Sequence, residues 1–548
     1  MSLTRRSFVV VFAALPTAQL AAQDTLDQVD PARIEREVRE PRTKGSPIRP
    51  TIHRAAARPA TAIEGEYRIN AVILDGLSAL ALADFADIIE EHSGRVLSGS
   101  ELAGLSNALA ARARDEGYVF ATAVIVPQSL QMGVVRVAMD EGAIDEVRLD
   151  GDGDPAVAAM LQPLADGRPV TLSRLERQLL LADDLGGVRI RSSRFVRDGA
   201  RGILEVTARR EDATGRVELT NDGSKPVGPL RARIDADFNG LISPFDEVDL
   251  TFSTNPVQPD ELQFASARYT ITFGPDGTEL AVYGSYSATR PGAFLADRDI
   301  FGRSTRIGAR LSHPVLRSRS ASLWVEAALE YRELRQERFD ALARRDRIPV
   351  ARLGLFGIRD WDEGRLRGRI TVSQGIAALG ATPAGDPLAT RLDAQPDFTT
   401  VSAWAELDQS LGGGLSIALA GRGQISSEPL LIAEDIGLGG PRFLRGYNFS
   451  ERTGDEGVMG YGEVRYAWRD ALGLFRRMQL YGYADGGVVG NLEGGRGSGS
   501  LASAGGGVRT DVARDLDLDI ELAIPLTGPR LDSNEETPRL NISVSQSF

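Results

Sequence analysis

The 548-residue chain contains no cysteine, which removes disulfides, thiol nucleophiles and thiolate metal sites at once. Its three histidines, His53, His92 and His313, are widely separated, a poor basis for a zinc site or a histidine-based triad. The longest apolar stretch, residues 8–15, falls far short of the ~20 residues a membrane-spanning helix requires. A net charge of −13 argues against nucleic acid as a partner. The glycines between Gly494 and Gly507 lack the lysine of a phosphate loop and read as a hairpin loop. Asp183-Asp184 reads as a helix end before Leu185-Gly186-Gly187 rather than a metal pair. Catalysis, a metal and a cofactor are therefore not expected.

What is present begins with a targeting signal. Arg5 and Arg6 form its positive region, residues 8–15 its apolar core, and Ala21-Ala22 supply small residues for cleavage, giving a signal over 1–22. Arg5-Arg6-Ser7-Phe8 resembles a twin-arginine signal, but that route carries folded cargo, so the pair is read as charge. Within 23–40, Asp30 is a good N-cap and Pro31 suits the first helical position, and Pro41 stops the helix. Ile34 and Val38 make its only apolar pair at helical spacing. A helix charged nearly all round cannot join a dry core; it suits bulk solvent or a water-filled lumen. Pro41, Pro47, Pro50 and Pro59 mark residues 41–65 as linker.

Two compact units follow. Residues 66–142 predict a strand at 67–74, helices at 81–93 and 100–116, and strands at 119–126 and 134–140. Ser100 is the expected cap of the second helix and Gly117 its end. Residues 143–212 repeat the order, with a strand at 144–149, helices at 155–164 and 171–184, and strands at 188–195 and 202–209. Recurrence of one order at roughly 70–75 residues marks an internal repeat.

From 213 onward alternation takes over. In Leu516-Asp517-Leu518-Asp519-Ile520-Glu521-Leu522 every second residue is acidic, and Arg231, Arg233, Asp235 and Asp237 alternate with Ala232, Ile234, Ala236 and Phe238. Successive strand side chains face opposite sides. Ionised groups on one face cannot enter a dry core, but they can line a watery lumen while the apolar face meets lipid. The competing reading, a one-sided sheet with its charged face in bulk water, fits so long an array less well. About sixteen such segments run to the end of the chain, an even number as a closed antiparallel barrel requires. The last, Leu540 to Phe548, places Leu540, Ile542, Val544 and Phe548 on one face, interrupted by Gln546, and ends on an aromatic. The expected fold is a transmembrane β-barrel of about sixteen antiparallel strands over 213–548, preceded by two α+β units.

Between the eleventh and twelfth segments, Gly439-Gly440 is followed by Leu444-Arg445-Gly446-Tyr447. This resembles the loop-six motif of the POTRA-plus-barrel translocase superfamily, in which the loop folds back into the barrel and its arginine meets acidic residues on strands twelve and thirteen. Tyr483-Ala484-Asp485-Gly486-Gly487 looks like the aromatic-x-Asp-x-Gly motif of strand thirteen, carried by Tyr483, Asp485 and Gly487. Tyr461-Gly462-Glu463-Val464-Arg465-Tyr466 places Glu463 on strand twelve. A guanidinium can bond carboxylates bidentately, and Gly446 lets the backbone pass close to the wall. Residues 168–188 are similar to the second POTRA domain of two-partner secretion transporters. They depart at Ala182-Asp183-Asp184-Leu185-Gly186, where an Asn before the Asp and often a Pro after the Leu are expected.

Over the whole mature chain the resemblance is to those outer-membrane transporters (TpsB, the hemolysin secretion/activation type). It implies two periplasmic POTRA-like domains, a plug helix carrying Ile34 and Val38, and export of one large, unfolded, β-rich secreted partner (TpsA-like) without enzymatic activity, nucleotide or cofactor. The second unit would take the passenger as an added strand along the edge Val188-Arg189-Ile190-Arg191-Ser192-Ser193-Arg194-Phe195. Phe548 would be the assembly signal. Outer-membrane lipid, the barrel assembly machinery and periplasmic chaperones are the other expected partners. An insertase of the same superfamily and a passive porin are the alternatives. Two units with a plug favour export over the first, and the folded repeats with an inward loop favour it over the second.

Overall fold

The computed structural model describes residues 29–32, 51–53, 65–150, 153–199, 201–471, 475–513 and 515–548. The signal, Ile34, Val38 and most of the linker lie outside the described residues. Residues 51–53 form strand β1 (Thr51–His53).

In the first unit the expected strand at 67–74 is two strands, β2 (Glu66–Ile69) and β3 (Ala71–Asp75). The chain changes partner at Asn70. β2 pairs with β4 (Arg95–Ser98), a strand the sequence reading missed, while β3 runs parallel to β6 (Val134–Asp140). The expected 81–93 helix is a 3₁₀ turn, Leu82–Phe85, followed by α1 (Ala86–His92). Helix α2 (Gly99–Asp115) is capped by Ser98 rather than Ser100. Ser98 accepts the Glu101 N–H at 3.3 Å, and the Glu101 carboxylate takes the Ser98 N–H at 2.7 Å. That reciprocal pair satisfies two orphan donors, which Ser100 could not do. The expected 119–126 strand is shorter, β5 (Thr122–Ile125), because Val119 and Phe120 are buried in the core of the next unit.

The second unit holds β7 (Glu146–Leu149), α3 (Pro155–Leu161), α4 (Leu172–Asp183), β8 (Val188–Asp198) and β9 (Arg201–Arg210). In the first unit β6 lies between β3, to which it is parallel, and β5, to which it is antiparallel; in the second β9 lies likewise between β7 and β8. The repeat is thus topological. The expected free edge of β8 is covered over Ser192–Arg194. β1 lies beside it in parallel, pairing Thr51 with Ser192, Ile52 with Ser193 and His53 with Arg194. Ile52 also packs against the unit's core, so a three-residue strand hidden among linker prolines gains both ladder bonds and apolar burial.

The barrel closes through sixteen strands among the described residues. Strand one (Ala213–Thr220) meets strand sixteen (Arg539–Ser547) over Arg216–Ser547 to Thr220–Ser543. Past that register Phe548 and Gly215 exchange two backbone hydrogen bonds, at 3.0 and 2.8 Å. Ile234, Leu250, Phe252 and Leu540 are exposed on the outer face, whereas Asp235 pairs with Arg233 and accepts the Thr251 hydroxyl inside. His313 lies within strand six (Ile300–Arg317). One expectation shifts here. Gly499 to Gly507 lie in strand fourteen (Gly499–Ala513), not in a hairpin loop. A Cβ at Gly505 or Gly507 would stand 2.6 or 2.7 Å from the hydroxyls of Tyr483 and Tyr481, so these glycines clear space for two rings.

Candidate functional site

Loop six (427–455) leaves strand eleven (Leu415–Ser426), turns into the lumen and returns to strand twelve (Glu456–Ala471). It is a ribbon rather than a coil, since Ile436–Leu438 pairs antiparallel with Arg452–Gly454. Gly439 and Gly440, with φ of +106° and +117°, make the turn that a side chain would obstruct. Leu438, Leu444 and Tyr447 then pack with Met459, Val489 and Leu501 of the wall.

At the tip, Arg445 is 5% exposed. Its Nη1 donates to Glu463 at 2.8 Å and to Glu521 at 3.1 Å, and its Nε stands 3.7 Å from Asp485. The Arg445 backbone N–H donates to Asp485 at 3.2 Å. The guanidinium carbon lies 3.6 Å from the centre of the Tyr483 ring and 5.0 Å from that of Tyr461, a stacked arrangement that suits a planar cation. Gly446 donates to the Ser503 hydroxyl at 3.2 Å, and that hydroxyl in turn donates to Asp485. A Cβ on Gly446 would sit 2.9 Å from Pro525 N and from Ser503 Cβ. Tyr447, 1% exposed, accepts the Thr527 N–H at 3.0 Å through its hydroxyl.

The structure brings all the expected loop-six and wall residues together. Gly487 of strand thirteen (Phe475–Gly490) has a visible reason: its Cβ would stand 2.7 Å from Leu438 Cδ2. Two features were missed. One is Glu521 on strand fifteen (Leu516–Pro525), the third carboxylate around Arg445. The other is a second anchor at the root of the loop. There Arg352 of strand eight (Ala341–Trp361) donates to Glu434 at 2.8 and 3.0 Å and to Glu330 at 3.0 Å. The available signal for Glu521 was the acidic alternation in strand fifteen.

The described N-terminal residues occupy the far mouth of the lumen. Asp30 caps the turn, accepting the Ala32 N–H at 2.7 Å, as the sequence predicted. Thr289 donates to Val29 O at 3.1 Å, Ser287 to Pro31 O at 3.0 Å, and Arg332 to Ala32 O at 3.3 Å. At the opposite end α4 of the second unit docks on one barrel turn and on the end of strand six. Gln178 donates to Pro275 O at 2.8 Å, Arg177 to Pro314 O at 3.0 Å, and Arg317 holds Asp184 through two bonds of 2.7 Å. Asp184 is thus an ion-pair partner, while Asp183 accepts the Ile190 N–H at 2.7 Å.

The family described as haemolysin secretion/activation protein ShlB/FhaC/HecB matches residues 203–510, and the POTRA domain of ShlB type matches residues 67–142. Over 528 residues the chain is 23% identical to the heme/hemopexin transporter protein HuxB of Haemophilus influenzae, covering 91% of this chain and 92% of that one. It is 24% identical over 405 residues to the hemolysin transporter protein ShlB of Serratia marcescens, covering 71% and 70% respectively. Among solved structures, CdiB from Escherichia coli superposes with a TM-score of 0.71 at 18% identity, covering 90% of this chain and 93% of that one.

Proposed function

The chain belongs to the ShlB/FhaC/HecB family of haemolysin secretion/activation proteins, and from that premise we propose that it exports one unfolded, β-rich partner protein across the outer membrane. The family places the barrel in the Gram-negative outer membrane with its POTRA region in the periplasm. The relatives named as hemolysin and heme/hemopexin transporters support a large secreted passenger of the TpsA type.

The observation that carries the reading is the Arg445 clasp. Loop six reaches down the lumen and is held at its tip by Glu463, Glu521 and Asp485, which is the construction of a movable obstruction rather than a fixed pore. In the periplasm the passenger adds as a strand to β8 of the second unit. β1 covers Ser192–Arg194 of that strand, so the passenger displaces it there. The N-terminal segment leaves the lumen as the chain threads through. Folding outside gives direction without nucleotide. Periplasmic chaperones and the barrel assembly machinery deliver the barrel to its membrane.

Quantitative proteomics of culture supernatant and outer membrane tests this in wild type, a deletion strain and Arg445→Ala. Loss of one or two large secreted proteins with other barrels unchanged is expected. A general fall in outer-membrane barrels would instead assign an insertase and end the export reading.

A further inference from the structure

The far mouth of the barrel carries two groups of loops bridged by loop eight (526–538), whose Asp532 and Glu535 hold Lys225 of loop one and whose Leu531 N–H donates to Glu451 of loop six, and one carboxylate fastens the second group. Loops one to three (221–230, 255–262 and 290–299) are knitted by backbone bonds, Gly292 N–H to Pro226 O at 2.8 Å and Arg290 N–H to Asp260 O at 3.1 Å. Loops five, six and seven (376–398, 427–455 and 491–498) converge on Asp455, which is 0% exposed. Its two oxygens accept Arg391 Nη1 of loop five at 2.8 and 2.7 Å, the Leu430 N–H of loop six at 2.8 Å and the Leu492 N–H of loop seven at 2.7 Å. Arg391 also reaches Asp393 at 2.8 Å, Asn491 at 3.3 Å and the carbonyl of Leu492. That contact holds the Asp393 carboxyl below its ordinary range, chiefly through the hydrogen bond from Arg391.

Residues 29–32 lie between the two groups. Val29 is buried with Val227, Leu262, Phe264, Leu295 and Ile300 on the first side. Ala32 is buried with Ala394, Phe398 and residues 430–433 on the second. The N-terminal segment is therefore a keystone joining both leaves, and removing it deprives each leaf of part of its apolar core.

We propose that loops one to three and five to seven are the two leaves of an outer gate, that Arg391–Asp455 is the latch of the second leaf, and that the gate opens only when this latch and the loop-eight bridge release along with the N-terminal segment. Loop six would then be held at three places, by Arg445 deep in the lumen, by Arg352 at its root and by Asp455 at the mouth. The inference rests on the export reading for what passes through, but the gate itself is testable with ions alone.

The test uses full-length protein reconstituted in planar bilayers, with potassium chloride current as the probe. Arg391→Ala and Asp455→Asn should raise the frequency of open events about tenfold or more, a factor within the reach of one buried ion pair, and Arg391→Lys should restore part of the closure. A lock guards against variants that fold badly. Gln395 N–H bonds Pro429 O at 3.0 Å across loops five and six, and the chain has no cysteine of its own. Gln395→Cys/Pro429→Cys should therefore silence openings when oxidised and recover them with reductant. Unchanged opening in both Arg391→Ala and the oxidised pair overturns the gate. Loss of no secreted protein in the deletion strain overturns the export reading and leaves the current measurements standing.

Discussion

Arg445 Nη1 stands 3.1 Å from Glu521 Oε2, so the loop-six arginine is tied to strand fifteen as well as to strands twelve and thirteen. Truncating it leaves buried carboxylates short of a cation, a loss of about 3–5 kcal/mol for a buried pair. Arg445→Ala should lower secretion of the passenger at least tenfold while the barrel stays folded, read as retained heat-modifiable migration on gels. Arg445→Lys should rescue poorly, because a point charge cannot reach two carboxylates while stacking on Tyr483.

Closure of the barrel gives a second prediction. Phe548 lies across Gly215, and a Cβ there would stand 2.5 Å from the ring. Gly215→Val should slow assembly and lower the folded fraction in the outer membrane severalfold. Gly215→Ala, which brings fewer atoms against the ring, should lose less.

For the strand on β8, Ile52→Pro removes a donor and fixes φ. Amide exchange at residues 192–194 should rise about tenfold as the local opening free energy falls, and binding of an extended passenger fragment should strengthen. Unchanged exchange would mean that β1 contributes nothing to holding this edge.

A pH dependence follows from Glu141. Burial opposes its charge, but the Ser78 hydroxyl at 2.5 Å and the N–H groups of Leu80, Ala79 and Ser78 at 2.8, 2.9 and 2.9 Å more than offset this and hold its carboxyl below the ordinary range. A depressed folded pKa contributes stability above the unfolded value of ~4.3 and loses it as pH falls through the folded value. Protection of the 78–80 amides should therefore decline below about pH 4.5 in wild type. Glu141→Gln should lower it by about 1.5–3 kcal/mol at neutral pH and flatten that decline.

How much of this was legible depended on the range of the interactions. Strand alternation is local, and it located the barrel, its sixteen strands and the parity of Arg233 and Asp235. The Arg445 clasp was legible in part, because motif resemblance covered Glu463 and Asp485. Glu521 looks like any lumen acid until strand fifteen is folded beside strand fourteen. β1 was hidden because Thr51–His53 has no pattern of its own between prolines; its reason to be extended is the partner strand. Asn70 splits one apolar run into two strands because β4 and β6 compete for it, a contest no local window contains. Gly505 and Gly507 read as loop because their partners, the Tyr483 and Tyr481 hydroxyls, come from the neighbouring strand.

Glu463 is served by three arginines at once: Arg445 at 2.8 Å, Arg465 at 2.6 Å and Arg509 at 2.7 Å. On the proposed withdrawal of the loop, two of these cations remain on the wall. Asp485 keeps the Ser503 hydroxyl, and Glu521 keeps the Tyr481 hydroxyl at 3.0 Å. On the proposed withdrawal each carboxylate would lose one partner without being left bare, so the tip is built as a press-stud that reseats, not as a rivet that must be sheared. A transporter built this way can close again behind each cargo molecule without rebuilding its wall.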